Sequence, residues 1–170
     1  MRRNFTKLIS GLLLSSGIKE PPIDVRKVAQ TLQVSVNEAP SENPNNVSFL
    51  LKRGSDYLIG LNSECSEREK RWAIACNLWS ARQRTPEVIQ VQNRDSPDFW
   101  APIGDQPSES TRFALALILP ETFLRSDTSR LGRVDLLADP RPLAELASRY
   151  KVSTTLLLAR LDQLLSLHPI

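Results

Sequence analysis

The chain has 170 residues, of which 41% are hydrophobic and 24% are charged, and its formal net charge at pH 7 is +3. These values are close to those of average soluble globular domains and exclude fibrous and disordered classes. The length is sufficient for one hydrophobic core, and the basic residues are scattered along the sequence, which argues against a dedicated nucleic-acid-binding protein.

The first segment is predicted to form a helix and not a targeting signal. Phe5, Leu8 and Leu12 recur at helical spacing, and Gly17 is suited to end the helix. Lys7 interrupts the apolar stretch, and nowhere does the sequence approach the ~20 apolar residues that a membrane-spanning helix needs. Because two cysteines are too few for a disulfide framework, we expect a cytoplasmic protein without membrane association.

A second helix and a β-hairpin are predicted next. Asp24 provides a favourable acid at the start of the helix, and Val34 begins an extended segment. Two runs rich in β-forming residues, 47–51 and 57–61, are separated by the turn residues 54–56. This pattern is typical of an antiparallel hairpin.

A central helix is predicted after the hairpin. Ser66 and Glu69 have the spacing of a capping box, which places the helix start there. Residues 85–107 contain several prolines and are expected to be mostly loop, with a possible short strand at 88–91. Apolar residues form one stripe on the predicted helix, which should therefore be buried: Trp72, Ala75, Cys76 and Trp79.

The last third of the chain is predicted to be helical. One helix opens near Ser108 and runs to Pro120, where a short further turn of helix can begin. From Asp139 onwards the pattern indicates a helix, a tight turn at 151–153 and a second helix. This pair has the outline of a helix-turn-helix.

Together the elements predict an α+β fold that is mostly helical and contains a small antiparallel sheet or hairpin. We expect residues 1–170 to form a single domain. Within it, residues 1–138 would form the core, and the C-terminal helical pair at 139–170 would pack on that core.

The order and spacing of several short segments resemble those of the ImmA/IrrE family of small bacterial and phage zinc metallopeptidases, which have a zincin-like architecture. No segment is specific by itself. The matching segments are Pro21-Pro22-Ile23-Asp24-Val25, Ile59-Gly60-Leu61-Asn62, Arg71-Trp72-Ala73-Ile74-Ala75, Phe113 to Pro120, and Val152-Ser153.

In that family the positions after the counterpart of Ala75 spell H-E-x-x-H, with two histidines for one zinc ion and a glutamate as general base. Here the same positions read Cys76-Asn77-Leu78-Trp79-Ser80. The family's third zinc ligand is a glutamate, whose counterpart by spacing is Pro107, or Glu109 if the register differs by half a turn. The resemblance therefore implies a degenerate motif, and we expect no catalytic residue, no metal and no cofactor.

The same residues argue against two other chemistries in this region. A zinc peptidase with substitute ligands lacks three good donors, since the single histidine is His168 near the C-terminus. A nucleophilic Cys76 would need a base and a lowered thiol pKa, whereas its apolar stripe favours a small core residue. If the family's cleft persists, the residues expected to line it for a peptide or partner are Trp72, Cys76, Asn77, Ser80 and Glu109.

The family's active members cleave or inactivate helix-turn-helix repressors, so the resemblance implies a protein partner of that kind. We therefore expect a catalytically inactive regulator, similar to an antirepressor, that binds its partner stoichiometrically in a phage or mobile-element setting. The alternative is a DNA-binding regulator that uses the basic excess and the C-terminal helices, although Leu156-Leu157-Leu158 offers no groove-reading side chains. Leu164, Leu165 and Leu167 are candidates for a homo-oligomer contact.

Overall fold

The computed structural model describes residues 5–84, 89–95, 107–131 and 139–167. In these residues the predicted α+β class is confirmed, with seven helices and one four-stranded sheet. The helices are α1 (Thr6–Ser15), α2 (Val25–Thr31), α3 (Glu67–Arg82), α4 (Glu109–Ile118), α5 (Glu121–Leu131), α6 (Arg141–Tyr150) and α7 (Thr154–Leu167). The strands are β1 (Val34–Ala39), β2 (Asn46–Arg53), β3 (Asp56–Asn62) and β4 (Ile89–Asn93).

The sheet has the strand order β1-β3-β2-β4. The predicted hairpin is confirmed, since β2 and β3 are antiparallel with Leu50 opposite Ile59. The expectation of a purely antiparallel sheet is wrong, because β1 lies parallel to β3 with Val36 opposite Ile59. β3 lies between β1 and β2. It is antiparallel to its hairpin partner β2 and parallel to β1. The predicted short strand at 88–91 is present as the edge strand β4, antiparallel to β2.

Residues 24–114 form one compact unit that contains the sheet and α3. Asp24 caps α2 by accepting from the backbone N–H groups of Arg26 and Lys27. Ser66 and Glu69 form the predicted capping box of α3. α3 contacts β2 and β3, and it is buried along most of its length, as predicted.

Two ionic contacts attach α3 to the strands of this unit. The Lys70 ammonium, whose side chain is 8% exposed, lies 2.7 Å from Glu38 Oε2 at the end of β1. Glu38 also pairs with Arg26 of α2. At the other side, Arg94 donates from Nε to Oε1 of Glu69 at 2.7 Å, which attaches the turn after β4 to the start of α3.

Residues 1–23 and 115–170 form the second compact unit, so the boundary between the units falls within α4. In this unit Tyr150 donates its hydroxyl to Asp127 at 2.9 Å. Arg160 is buried and donates from Nε to the carbonyl oxygen of Leu119 at 3.1 Å. The tight turn between α6 and α7 contains Lys151 in the left-handed conformation. The division of the chain at residue 138 stays a prediction.

None of the helices in the described segments is both long enough and apolar enough to span a lipid bilayer.

Candidate functional site

Cys76, Asn77 and Ser80, which are predicted to replace the family's zinc motif, lie on α3, and Asn77 faces the strands β2 and β4. Cys76 and Asn77 are buried, with 3% and 2% of their surfaces exposed, and Ser80 is half-buried. Trp72 is buried one turn earlier, and among the described residues its indole N–H has no hydrogen-bond partner. Three of the five residues predicted to line a cleft are therefore inside the unit, and the cleft itself stays a prediction.

Asn77 belongs to a closed ring of hydrogen bonds with two strand residues. Its Nδ2 donates to Ser48 Oγ at 2.9 Å and to Gln92 Oε1 at 3.3 Å. Ser48 in turn donates its hydroxyl to the same Gln92 oxygen at 2.7 Å. The ring thus joins α3, β2 and β4 through side chains. Buried polar groups are stable in a core when they satisfy one another in this way.

Cys76 lies beside this ring. Burial raises the pKa of its thiol to about 12, although a hydrogen bond to the Gln92 side chain opposes the shift. A neutral thiol is neither a strong nucleophile nor a metal ligand, because both roles require the thiolate. The structure therefore agrees with the interpretation of Cys76 as a small core residue.

The two candidates for the third zinc ligand differ in position. Pro107 precedes α4, whereas Glu109 is the first residue of that helix and is exposed. Ser108 accepts a hydrogen bond from the backbone N–H of Thr111 at 3.2 Å, which fixes the helix start close to the predicted residue. Which of the two positions corresponds to the family's third zinc ligand stays a prediction.

Aromatic packing joins the start of α4 to α3. The rings of Trp79 and Phe113 lie with their centroids 5.2 Å apart and are tilted by 33°. Phe113 is fully buried. The two helices that carry the predicted counterparts of the family's zinc ligands are therefore in contact in this unit.

The side chains at these positions do not fit a zinc ion. Catalytic zinc is normally held by three protein ligands drawn from histidine, cysteinate and carboxylate. Asn77 and Ser80 are neutral, and the thiol of Cys76 has a pKa of about 12. Within the described part of the chain, no three histidine, cysteine, aspartate or glutamate residues come together to form a metal site.

Ser48 and Gln92 were not among the residues predicted for this site. Ser48 lies within an apolar strand, and its hydroxyl is buried at 3% residue exposure. An inward-facing polar residue in such a strand is a signal for a buried partner. Nothing local indicates that the partner is Asn77, which is 29 positions away.

The opposite face of the sheet carries exposed apolar surface. Phe49 and Val91 face each other across β2 and β4 and are 41% and 57% exposed. They line a mostly apolar groove of about 480 Å³ together with Leu58 and Gly60.

Comparison with known protein families confirms the resemblance deduced from the sequence segments. The matching family is peptidase M78, described as an IrrE N-terminal-like domain, and the match covers residues 29–162. This range includes the sheet, α3, α4 and most of the C-terminal helical pair. No curated protein matches the chain closely enough to count as a relative. Because the match covers well over half of the 170 residues, the chain belongs to the peptidase M78 (IrrE N-terminal-like) family.

Proposed function

We propose that this protein is a peptidase-like regulator that binds a protein partner stoichiometrically and does not cleave it. The observation that carries the proposal is the state of Asn77 at the position of the family's general base. Its amide nitrogen donates to Ser48 and Gln92. A general base must accept a proton from the attacking water, and an amide nitrogen engaged as a donor has no capacity to do so.

The donor chemistry around Asn77 supports the same conclusion. Hydrolysis by this family depends on a zinc ion that lowers the pKa of its bound water. The neutral side chains at the motif positions do not supply the ligands for that ion. Loss of hydrolysis does not require loss of binding, since the fold that presents a peptide-binding surface is separate from the groups that break the bond.

The partner class follows from the family resemblance, which implies helix-turn-helix repressors. The exposed apolar pair Phe49 and Val91 offers a surface of the kind that protein interfaces use. A soluble partner with a complementary apolar segment is therefore the expected ligand.

The test uses the repressor encoded nearest to the gene of this protein. At a ratio of 1:1 we expect one defined complex in size-exclusion chromatography with light scattering. At a ratio of 1:100 we expect the repressor to remain intact in an electrophoresis time course. Destruction of excess repressor by a trace of this protein would refute the proposal, and so would the absence of any complex at micromolar concentrations.

The triple variant Cys76→His, Asn77→Glu and Ser80→His tests the zinc-peptidase alternative. Elemental analysis of the purified wild-type protein should show no stoichiometric zinc, whereas the triple variant should acquire some. Stoichiometric zinc in the wild type would favour substitute ligands instead.

No structural observation favours the DNA-binding alternative. On α7, Leu158 and Leu165 are 47% and 63% exposed and lie on the same side of the helix. An apolar side of this kind has no donors for base edges. Fluorescence anisotropy with duplex DNA, repeated across salt concentrations, tests the alternative directly, because phosphate contacts weaken steeply as salt rises.

The homo-oligomer contact stays a prediction. Leu165 is exposed as that prediction requires, but Leu164 is buried, and the side chain of Leu167 lies outside the described residues.

A further inference from the structure

Three secondary-structure elements meet at one amide oxygen in this protein. Gln92 Oε1 accepts from Ser48 Oγ of β2 at 2.7 Å and from Asn77 Nδ2 of α3 at 3.3 Å. A hydrogen bond from the Gln92 side chain also lowers the pKa of the Cys76 thiol, against the effect of burial. Gln92 belongs to β4, which pairs with β2 at the edge of the sheet formed by the described residues.

We propose that Gln92 is the positioning residue of the candidate site: its amide oxygen fastens the edge strand β4 to α3 and fixes the side chain of Asn77 without a metal ion. This inference deepens the proposed function and rests on its assignment of the site to α3. Gln92 would keep the site on α3 ordered at the place where zinc-dependent members of the family hold their zinc ion.

Gln92 differs from Ser48 and Asn77, the other two residues of the hydrogen-bonded ring, because it is the acceptor for both of them. If Ser48 loses its hydroxyl, Asn77 keeps its bond to Gln92. If Gln92 loses its amide, Ser48 loses its acceptor and Asn77 loses one of its two. A buried donor without an acceptor costs more free energy than the bond contributes when it is present, so Gln92 should be the most sensitive position of the ring.

The ring also explains how β4 can remain in place. An edge strand is held by hydrogen bonds along one side only. On its outward face β4 presents Val91, which is 57% exposed and contributes little packing. Among the β4 side chains that the structure describes, the inward Gln92 is the one that hydrogen-bonds a residue of α3.

The experiment compares Gln92→Leu, which keeps the volume and removes the acceptor, with Gln92→Glu, which keeps an acceptor oxygen. Hydrogen exchange of the full chain, measured by mass spectrometry, reports on the amides of β4. We expect Gln92→Leu to accelerate their exchange by about tenfold, the effect of losing one hydrogen bond of ordinary strength. Gln92→Glu should stay close to wild type. Val91→Thr, on the outward face of the same strand, is the matched control and should also stay close to wild type.

A second comparison uses Ser48→Ala, which leaves the hydrogen bond between Asn77 and Gln92 in place. This variant should accelerate the exchange of β4 by much less than tenfold. If Gln92→Leu does not fold, the exchange of β4 in the Ser48→Ala and Gln92→Glu proteins still decides the matter.

The inference is overturned if Gln92→Leu leaves the exchange of β4 at the wild-type rate. It is also overturned if Gln92→Glu behaves like Gln92→Leu, or if Ser48→Ala accelerates the exchange of β4 as much as tenfold. All of these measurements use the isolated protein, so their failure is distinguishable from a failure to find or spare a repressor.

Discussion

The ring of Phe49 lies directly over Gly60 on the neighbouring strand, so close that a β-carbon added at Gly60 would fall 2.2 Å from two of the ring carbons. Any residue larger than glycine at position 60 would collide with the Phe49 ring unless that ring moved. Phe49 is 41% exposed, so the ring has solvent into which it can move.

Gly60→Ala is expected to displace the Phe49 ring and to lower the free energy of unfolding by about 1–3 kcal/mol, the usual cost of overpacking. Chemical denaturation measures the effect. Phe49→Ala in the same background should remove most of the penalty, because the clash needs both side chains. Gly11→Ala is the control, since a β-carbon there meets nothing within 4 Å. Strict additivity of the two substitutions would contradict the prediction.

The thiol of Cys76 should resist alkylation in the folded protein. At pH 8 a thiol with a pKa of about 12 is almost entirely protonated, and the residue is buried as well. Iodoacetamide treatment followed by peptide mass spectrometry should therefore modify Cys76 only after a denaturant is added. Rapid labelling of Cys76 in the native Cys65→Ser protein would show that the thiol is accessible.

Ionisation of the Cys76 thiol should make the free energy of unfolding fall at alkaline pH. The folded state favours the neutral form, and the unfolded chain ionises near the ordinary thiol pKa of about 8.5. The contribution of Cys76 is therefore fully present below that value and is lost as the pH rises towards about 12. Denaturation curves between pH 8 and pH 10 should show a decline that Cys76→Ala reduces. An unchanged slope in that variant would mean that another group causes the decline.

Lys70→Met should lower the free energy of unfolding by about 1–2 kcal/mol, because it removes a charge-assisted hydrogen bond to Glu38 that is only partly shielded from solvent. Glu67→Gln is the matched control, since the Glu67 side chain is 82% exposed and lies 3.4 Å from the same ammonium. That variant should behave like the wild type. Equal losses in both variants would indicate a general charge effect.

Acid should weaken the contact between Lys70 and Glu38. The hydrogen bond from Lys70 holds the pKa of Glu38 below its usual value, although burial opposes this. A depressed folded-state pKa gives stability that is present above the unfolded pKa of about 4.3 and is lost as the pH falls through the folded value. The stability difference between wild type and Glu38→Gln should therefore shrink below pH 4. A difference that persists at pH 2 would contradict this assignment.

Arg160→Met should cost about 1–3 kcal/mol, because the buried carbonyl of Leu119 would lose its donor. Burial lowers the pKa of Arg160 to about 10, so the guanidinium is still charged at neutral pH. Within the described part of the chain, the side chain of the exposed Arg141 hydrogen-bonds to Asp139 alone, and Arg141→Met should leave stability unchanged. Thermal unfolding of the two variants measures the contrast, and a larger loss for Arg141→Met would be the contrary result.

Local signals predicted the helices well. The capping box at Ser66 and Glu69 and the N-cap at Asp24 involve residues only two or three positions apart, so the sequence contains the complete interaction. The prediction that the candidate site lies on α3 came from the family resemblance and not from a local signal. The mixed sheet was not predicted, because the choice of β3 as the neighbour of β1 depends on pairing between distant strands. Ser48 and Gln92 were missed for the same reason.

The carboxylate of Glu69 serves two elements at once. Its Oε2 accepts from the backbone N–H of Ser66 at 2.8 Å, and its Oε1 holds Arg94. Burial alone would raise the pKa of Glu69, but these hydrogen bonds keep it below its usual value. Protonation of Glu69 therefore weakens its bonds to both the first turn of α3 and the turn after β4. These two segments should unfold together in acid, as one cooperative unit.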